Sequence, residues 1–143
     1  MFTESEIGEI LTYINGFRSI YGVSNLEYDS NISLISKKYA INYLKSKIQK
    51  LDFKPSDDIY NNKELSKNSI YTNNIRNNKM NNIKNIIKKW HDENKYYDFE
   101  NSDNIKYKAC QNFINLVWDL NTKCGFGYSY VNGKCVFCLH FLE

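Results

Sequence analysis

The sequence predicts an α+β fold, because helical and strand periodicities occupy separate stretches and meet at one place in the chain. Ala109, Phe113, Leu116, Val117 and Leu120 form one helical stripe about 100° wide, with Asn112 at its edge. Beyond Thr122 the period drops to two, with Cys124, Phe126, Tyr128 and Tyr130 alternating with Gly125, Gly127 and Ser129. Asn132-Gly133 suits a type I′ turn, so the chain should return as a strand from Lys134 to Phe141. A helix ending at Trp118 thus feeds a hairpin.

The first helix opens with Thr3 and Glu6, the pair of a capping box. Ile7, Ile10, Leu11, Ile14, Phe17 and Tyr21 continue at helical spacing, and Gly22 sits where a C-cap would end it. Asp29 and Ser30 can cap a second helix whose apolar positions include Leu34, Ile35, Tyr39, Ile41, Leu44 and Ile48. From Lys50 to Asn82 the pattern weakens: Pro55, Asp57-Asp58 and repeated asparagines predict a long irregular region, with 68–72 the one plausible strand. Ile83, Ile86, Ile87 and Trp90 restore a helix. Glu93 falls within about 60° of Trp90 on that helix, which aims a carboxylate inward, where it needs a partner or a cleft.

The chain of 143 residues is read as one domain, 1–143, large enough to need no disulfide or metal staple. It has no apolar run of membrane-spanning length. Met-Phe-Thr-Glu-Ser-Glu lacks the features of a signal peptide, so as written the chain is expected to be cytoplasmic; an upstream signal peptide would make it secreted. A net charge of +3, from 19 basic and 16 acidic residues, gives no reason to expect a nucleic-acid partner. The lysines at 45, 47 and 50 and at 84, 88 and 89 read as solvated helix faces, since no arginine accompanies them. The abundance of asparagine, lysine, isoleucine and tyrosine reads as compositional drift. If Cys135 and Cys138 lie on a strand they point to opposite faces and cannot share a metal. The turn register sets Cys135 opposite Tyr130, Cys138 opposite Gly127 and Cys124 opposite Phe141, so buried free thiols are expected, Cys110 alone being unconstrained.

Several motifs then stand in an informative order. Asn15-Gly16-Phe17-Arg18 precedes Gly22-Val23-x-x-Leu26-x-Tyr28-Asp29; Trp90-His91-Asp92-Glu93 with 95–99 precedes Phe113-x-x-Leu116-Val117-Trp118 and Lys123-x-Gly125-Phe126-Gly127. Together they resemble the CAP superfamily of cysteine-rich secretory proteins, antigen 5 and plant pathogenesis-related proteins, whose domain is also called SCP. The resemblance implies a three-layer α-β-α sandwich, a small antiparallel sheet between helices. It also implies a cleft with two histidines and two glutamates, often able to hold a divalent metal. Here Asn112 stands where a histidine precedes the aromatic matched to Phe113, no histidine occurs before His91, and Asn68 replaces the glutamate of the segment matched to 67–71. Only Glu93 matches.

One carboxylate and two amides make a poor metal set, and asparagine exchanges no proton near neutral pH. The reading is therefore a non-enzymatic binding domain with a vestigial cleft of Glu93, Asn112, Asn68 and His91, without metal or cofactor, whose partner is an unknown protein or a small apolar ligand. Alternatives are sterol or fatty-acid binding, and a hydrolase-like or metal-assisted activity through Glu93 and His91. Cys138 and His140 could be imagined as a catalytic pair, but on one strand, with no third group in view to orient the ring, His140 reads as structural.

Overall fold

A computed structural model describes residues 1–54, 58–101, 103 and 106–143. Pro55 and Asp57, read above as markers of irregular chain, lie outside the described residues. Helix α1 spans Glu4–Ile20 with the Thr3/Glu6 capping box formed in both directions, and Gly22 follows its C-cap at φ 71°. A two-residue strand β1, Glu27–Tyr28, leads into α2, Ser30–Ile48, whose N-cap is Asp29. The region expected to be irregular holds three strands: β2 (Ile59–Tyr60), β3 (Lys63–Glu64) and β4 (Ser66–Thr72). Asn61 and Asn62, at φ 52° and 62°, make the β2–β3 turn, two left-handed residues such as asparagine tolerates. These asparagines have a structural reason that composition alone hid.

Helix α3 spans Lys79–His91, runs into a 3₁₀ turn at Asp92–Tyr96, and is followed by α4 at Tyr107–Val117 and the hairpin β5 (Lys123–Val131) and β6 (Lys134–Leu142). The hairpin has the predicted register, Cys124 opposite Phe141 and Tyr130 opposite Cys135. The main sheet runs β1-β5-β6-β4, antiparallel except that β1 joins β5 in parallel, so the sheet is mixed where an antiparallel one was expected.

Three layers result. On one face of the sheet Phe126, Phe137, Leu139 and Phe141 pack with Ile10 and Ile14 of α1, Ile83, Ile87 and Trp90 of α3, and Leu116 of α4. On the other lies α2, so close that a Cβ at Gly125 or Gly127 would collide with its backbone at Ser33 or Ser36. Of the expected apolar positions of α2, Tyr39 and Leu44 are buried but Leu34, Ile41 and Ile48 are exposed. Ile32, Ser33, Ser36 and Ala40 are buried instead, the small serines lying where the helix backbone meets the two glycines. The stripe of α4 shifts too. Cys110 has φ −130° and ψ 19°, a kink that turns Ala109 outward and Cys110 inward, and the helix stops at Val117, leaving Leu120 exposed. All four cysteines are buried and free.

Candidate functional site

Glu93 is carried by the 3₁₀ turn after α3, not by α3 itself, and this tighter winding brings its half-buried carboxylate against α4. There the kink at Cys110 restarts the helix. Glu93 Oε1 accepts from the Phe113 N–H at 3.1 Å, and Oε2 accepts from Asn112 Nδ2 at 2.9 Å. The carboxylate therefore caps the second segment of α4 from outside, where a helix has free N–H groups and favours negative charge.

The chain of bonds continues inward. Asn68 is fully buried on β4, and its Nδ2 donates to the Asn112 carbonyl at 2.9 Å. Its Oδ1 accepts from Asn115 Nδ2 at 3.0 Å, and Asn121 Nδ2 donates to the Asn115 carbonyl at 3.0 Å. Glu93, Asn112 and Asn68 thus meet, joined by Asn115, which the sequence reading missed. His91 does not join them. Its Nε2 lies 2.8 Å from the Tyr21 hydroxyl and its ring stacks on Phe17 at 4.3 Å, so it ties α3 to α1.

The paired motifs near the N-terminus have an equally definite use. Asn15 accepts from the Leu26 N–H at 2.8 Å and donates to the Leu26 carbonyl at 3.2 Å. Arg18 is fully buried; its Nε donates to the Ser24 carbonyl at 2.8 Å, and its terminal nitrogens donate to the carbonyls of Leu116, Trp118 and Asn121 at 3.0, 3.1 and 3.3 Å. The guanidinium closes the C-terminal end of α4, where cations are favoured.

A model of the CAP family, cysteine-rich secretory proteins, matches residues 11–141, from within α1 to the last strand. The chain belongs to the CAP family. Known CAP-like folds agree in shape at low identity. Venom allergen-like protein 4 of Schistosoma mansoni is 18% identical over 99% of this chain and 90% of its own, with a TM-score of 0.67. NaASP2, in a crystal structure with Zn²⁺, is 17% identical over 97% and 80%, with a TM-score of 0.73. An outer surface protein of Borrelia burgdorferi is 12% identical over 99% and 94%, with a TM-score of 0.56. No curated protein matches the sequence.

A divalent metal fits this CAP domain poorly at Glu93. The Asn68 amide spends both its ends inside the protein, Glu93 uses both oxygens as acceptors, and the imidazole nearest in sequence faces α1. Among the described residues no group of three or more His, Cys, Asp or Glu is placed to hold a metal.

A second polar cluster in the CAP fold looks catalytic and is closed. His140 Nδ1 lies 2.8 Å from Ser36 Oγ and 3.4 Å from Cys138 Sγ, while Nε2 makes a 2.9 Å charge contact, poorly aligned as a hydrogen bond, with Asp58 Oδ2. Asp58 is the third group the sequence did not reveal, and Lys67 Nζ meets it at 2.7 Å. Burial raises the Asp58 carboxyl, but Lys67 and His140 outweigh it and hold it below the usual 3.8. Burial pushes His140 below 6.5 despite Asp58, and pushes the Cys138 thiol well above 9.0. Ser36 and His140 have no exposed surface, so no substrate reaches them. Here the histidine is a closed core residue, bonded through Nδ1 to Ser36 and leaving Nε2 beside Asp58 without a well-aligned hydrogen bond.

The apolar face of the hairpin, with Cys124, Phe126, Phe137, Leu139 and Phe141, is packed against α1, α3 and α4. No helix among the described residues is long and apolar enough to cross a membrane.

Proposed function

We propose that this CAP domain is a non-enzymatic binding protein whose family cleft has become a structural joint. The observation carrying this reading is the double use of Glu93: one oxygen caps α4 at Phe113 and the other holds the Asn112 amide, so the one carboxylate available for acid-base work is spent on packing. The unassigned partner is a protein or a small apolar ligand. Its compartment follows the family description as secretory, which supports the exported alternative. Export is chemically tolerable, because all four thiols are buried away from oxidants.

Glu93→Gln tests the joint. It sets an amide N–H against one of the two donors, so stability in urea should fall by about 1–3 kcal/mol, with no turnover to lose. Titrating zinc while following thermal unfolding tests the metal-assisted alternative. The expected result is an unmoved Tm; a large saturable rise overturns the proposal.

A further inference from the structure

The outer edge of β5 and the neighbouring flank of α2 together form an unfilled groove. β6 pairs with β5 along its whole length, but on the other side, among the described residues, only β1 reaches it, at Lys123 and Cys124. There the Cys124 carbonyl accepts from the Asp29 N–H at 2.8 Å, and the Phe126 N–H donates to Ser33 Oγ at 3.0 Å. Backbone groups of alternate strand residues point the same way. The next outward groups are therefore the Phe126 carbonyl and the N–H and carbonyl of Tyr128 and Tyr130. Among the described residues none of these has a hydrogen-bond partner. β1 shows that this edge takes a strand, but the chain turns away at Asp29 to begin α2.

The helix beside the edge is unusually apolar for an outer face. Leu34, Ile41 and Ile48 are seven apart, hence on one stripe, and are 59%, 44% and 43% exposed. Leu34 and Lys37 line a cavity of about 210 Å³ with Phe2, Tyr28, Gly127 and Tyr128. Ile41, Lys45 and Ile48 line a second, of about 230 Å³, with Ser129 and Val131. The cavities flank the unpaired stretch of edge. Lys37 and Lys45 make no ion pair among the described residues.

We propose that this groove binds an extended acidic polypeptide segment as an added β-strand. Its backbone pairs with Tyr128 and Tyr130, and on its face toward α2 apolar side chains enter the two cavities while carboxylates meet Lys37 and Lys45 at their walls. Free backbone donors and acceptors select an extended chain, the cavities select apolar side chains, and the two lysines select negative charge. The site lies at the sheet edge away from β4 and Asn68, so it goes beyond the reading of the Glu93 cleft and stands independently of it.

The test uses a short fluorescein-labelled peptide in which every second residue, the set sharing one strand face, includes both valine and glutamate. Saturable anisotropy is expected, with amide exchange at Tyr128 and Tyr130 slowed in the complex. N-methylation of alternate peptide amides should weaken binding at least about tenfold, as should Ile41→Asp, an exposed substitution that leaves the core intact. Absence of saturable binding overturns the proposal. So does equal binding of the N-methylated peptide, which would mean charge attraction alone. Self-association of the chain through this edge, seen by sedimentation and abolished by Ile41→Asp, overturns it in favour of a second copy.

Discussion

Arg18 shows most directly what a family motif is for. It is a buried cation to which no carboxylate is bonded among the described residues; its donors are divided among four carbonyls, three of which belong to the end of α4 and the turn after it. Arg18→Met keeps the bulk and removes every donor, so that among the described residues only the Trp118 carbonyl of the four keeps a partner, the Asn121 N–H at 3.2 Å. We expect a loss of at least about 3 kcal/mol, measured as a lowered urea midpoint. Arg18→Lys should recover only a small part, because a single ammonium cannot span acceptors arranged for a planar fork. Asn15, Arg18 and Glu93 could all be named from sequence, but only coordinates show that each works on backbone. Asn112 was legible as a departure from the family pattern. The resemblance put Glu93 in the same cleft, but the hydrogen bond between them was not legible, because that contact depends on the kink at Cys110, for which no proline or glycine gives a signal.

At the scale of elements, the hairpin was readable in register because Asn132-Gly133 fixes the turn and the period of two fixes the faces. α3 was readable for the same kind of reason, having one unbroken apolar stripe. The side of α2 that is buried was not. Its packing is dictated by two glycines on another element, so Ser33 and Ser36 are buried with Ile32, Tyr39, Ala40 and Leu44 while Leu34, Ile41 and Ile48 stay exposed. Gly127→Ala should therefore separate α2 from the sheet and cost roughly 1–3 kcal/mol, with the loss visible in chemical denaturation. Gly8→Ala, on the open face of α1 where a Cβ meets nothing within 4 Å, is the control and should not destabilise. The strands at 59–64 escaped detection because each is two residues long and its turn is made of asparagines in an asparagine-rich chain.

For the molecule as a whole, buried Asp58 and His140 with half-buried Lys67 link the β2 strand region to the central sheet and contribute to how acid acts on stability. Both acidic-range groups are depressed in the folded state. Burial lowers His140 below 6.5, and the Lys67 and His140 charges, working against burial, lower Asp58 below 3.8. The unfolded chain then binds protons first in each case, so their contribution is full above about pH 6.5 and declines below it, first through His140 and then through Asp58. Urea midpoints should fall from pH 7 to pH 5, and His140→Gln should flatten that part of the profile. A profile equally steep in the variant would assign the loss to other groups.

The Arg18 clamp also has a temporal side. Its α4 acceptors lie 98 to 103 residues further along the chain, so during synthesis α1 emerges long before the carbonyls that will receive it. At about 5–20 residues per second, the guanidinium spends several seconds hydrated, and the first layer of the sandwich cannot close until nearly the last strand has left the ribosome. Closure of α1 against α4 is thus a late event, and a nascent chain arrested before Leu116 should remain open to protease along α1.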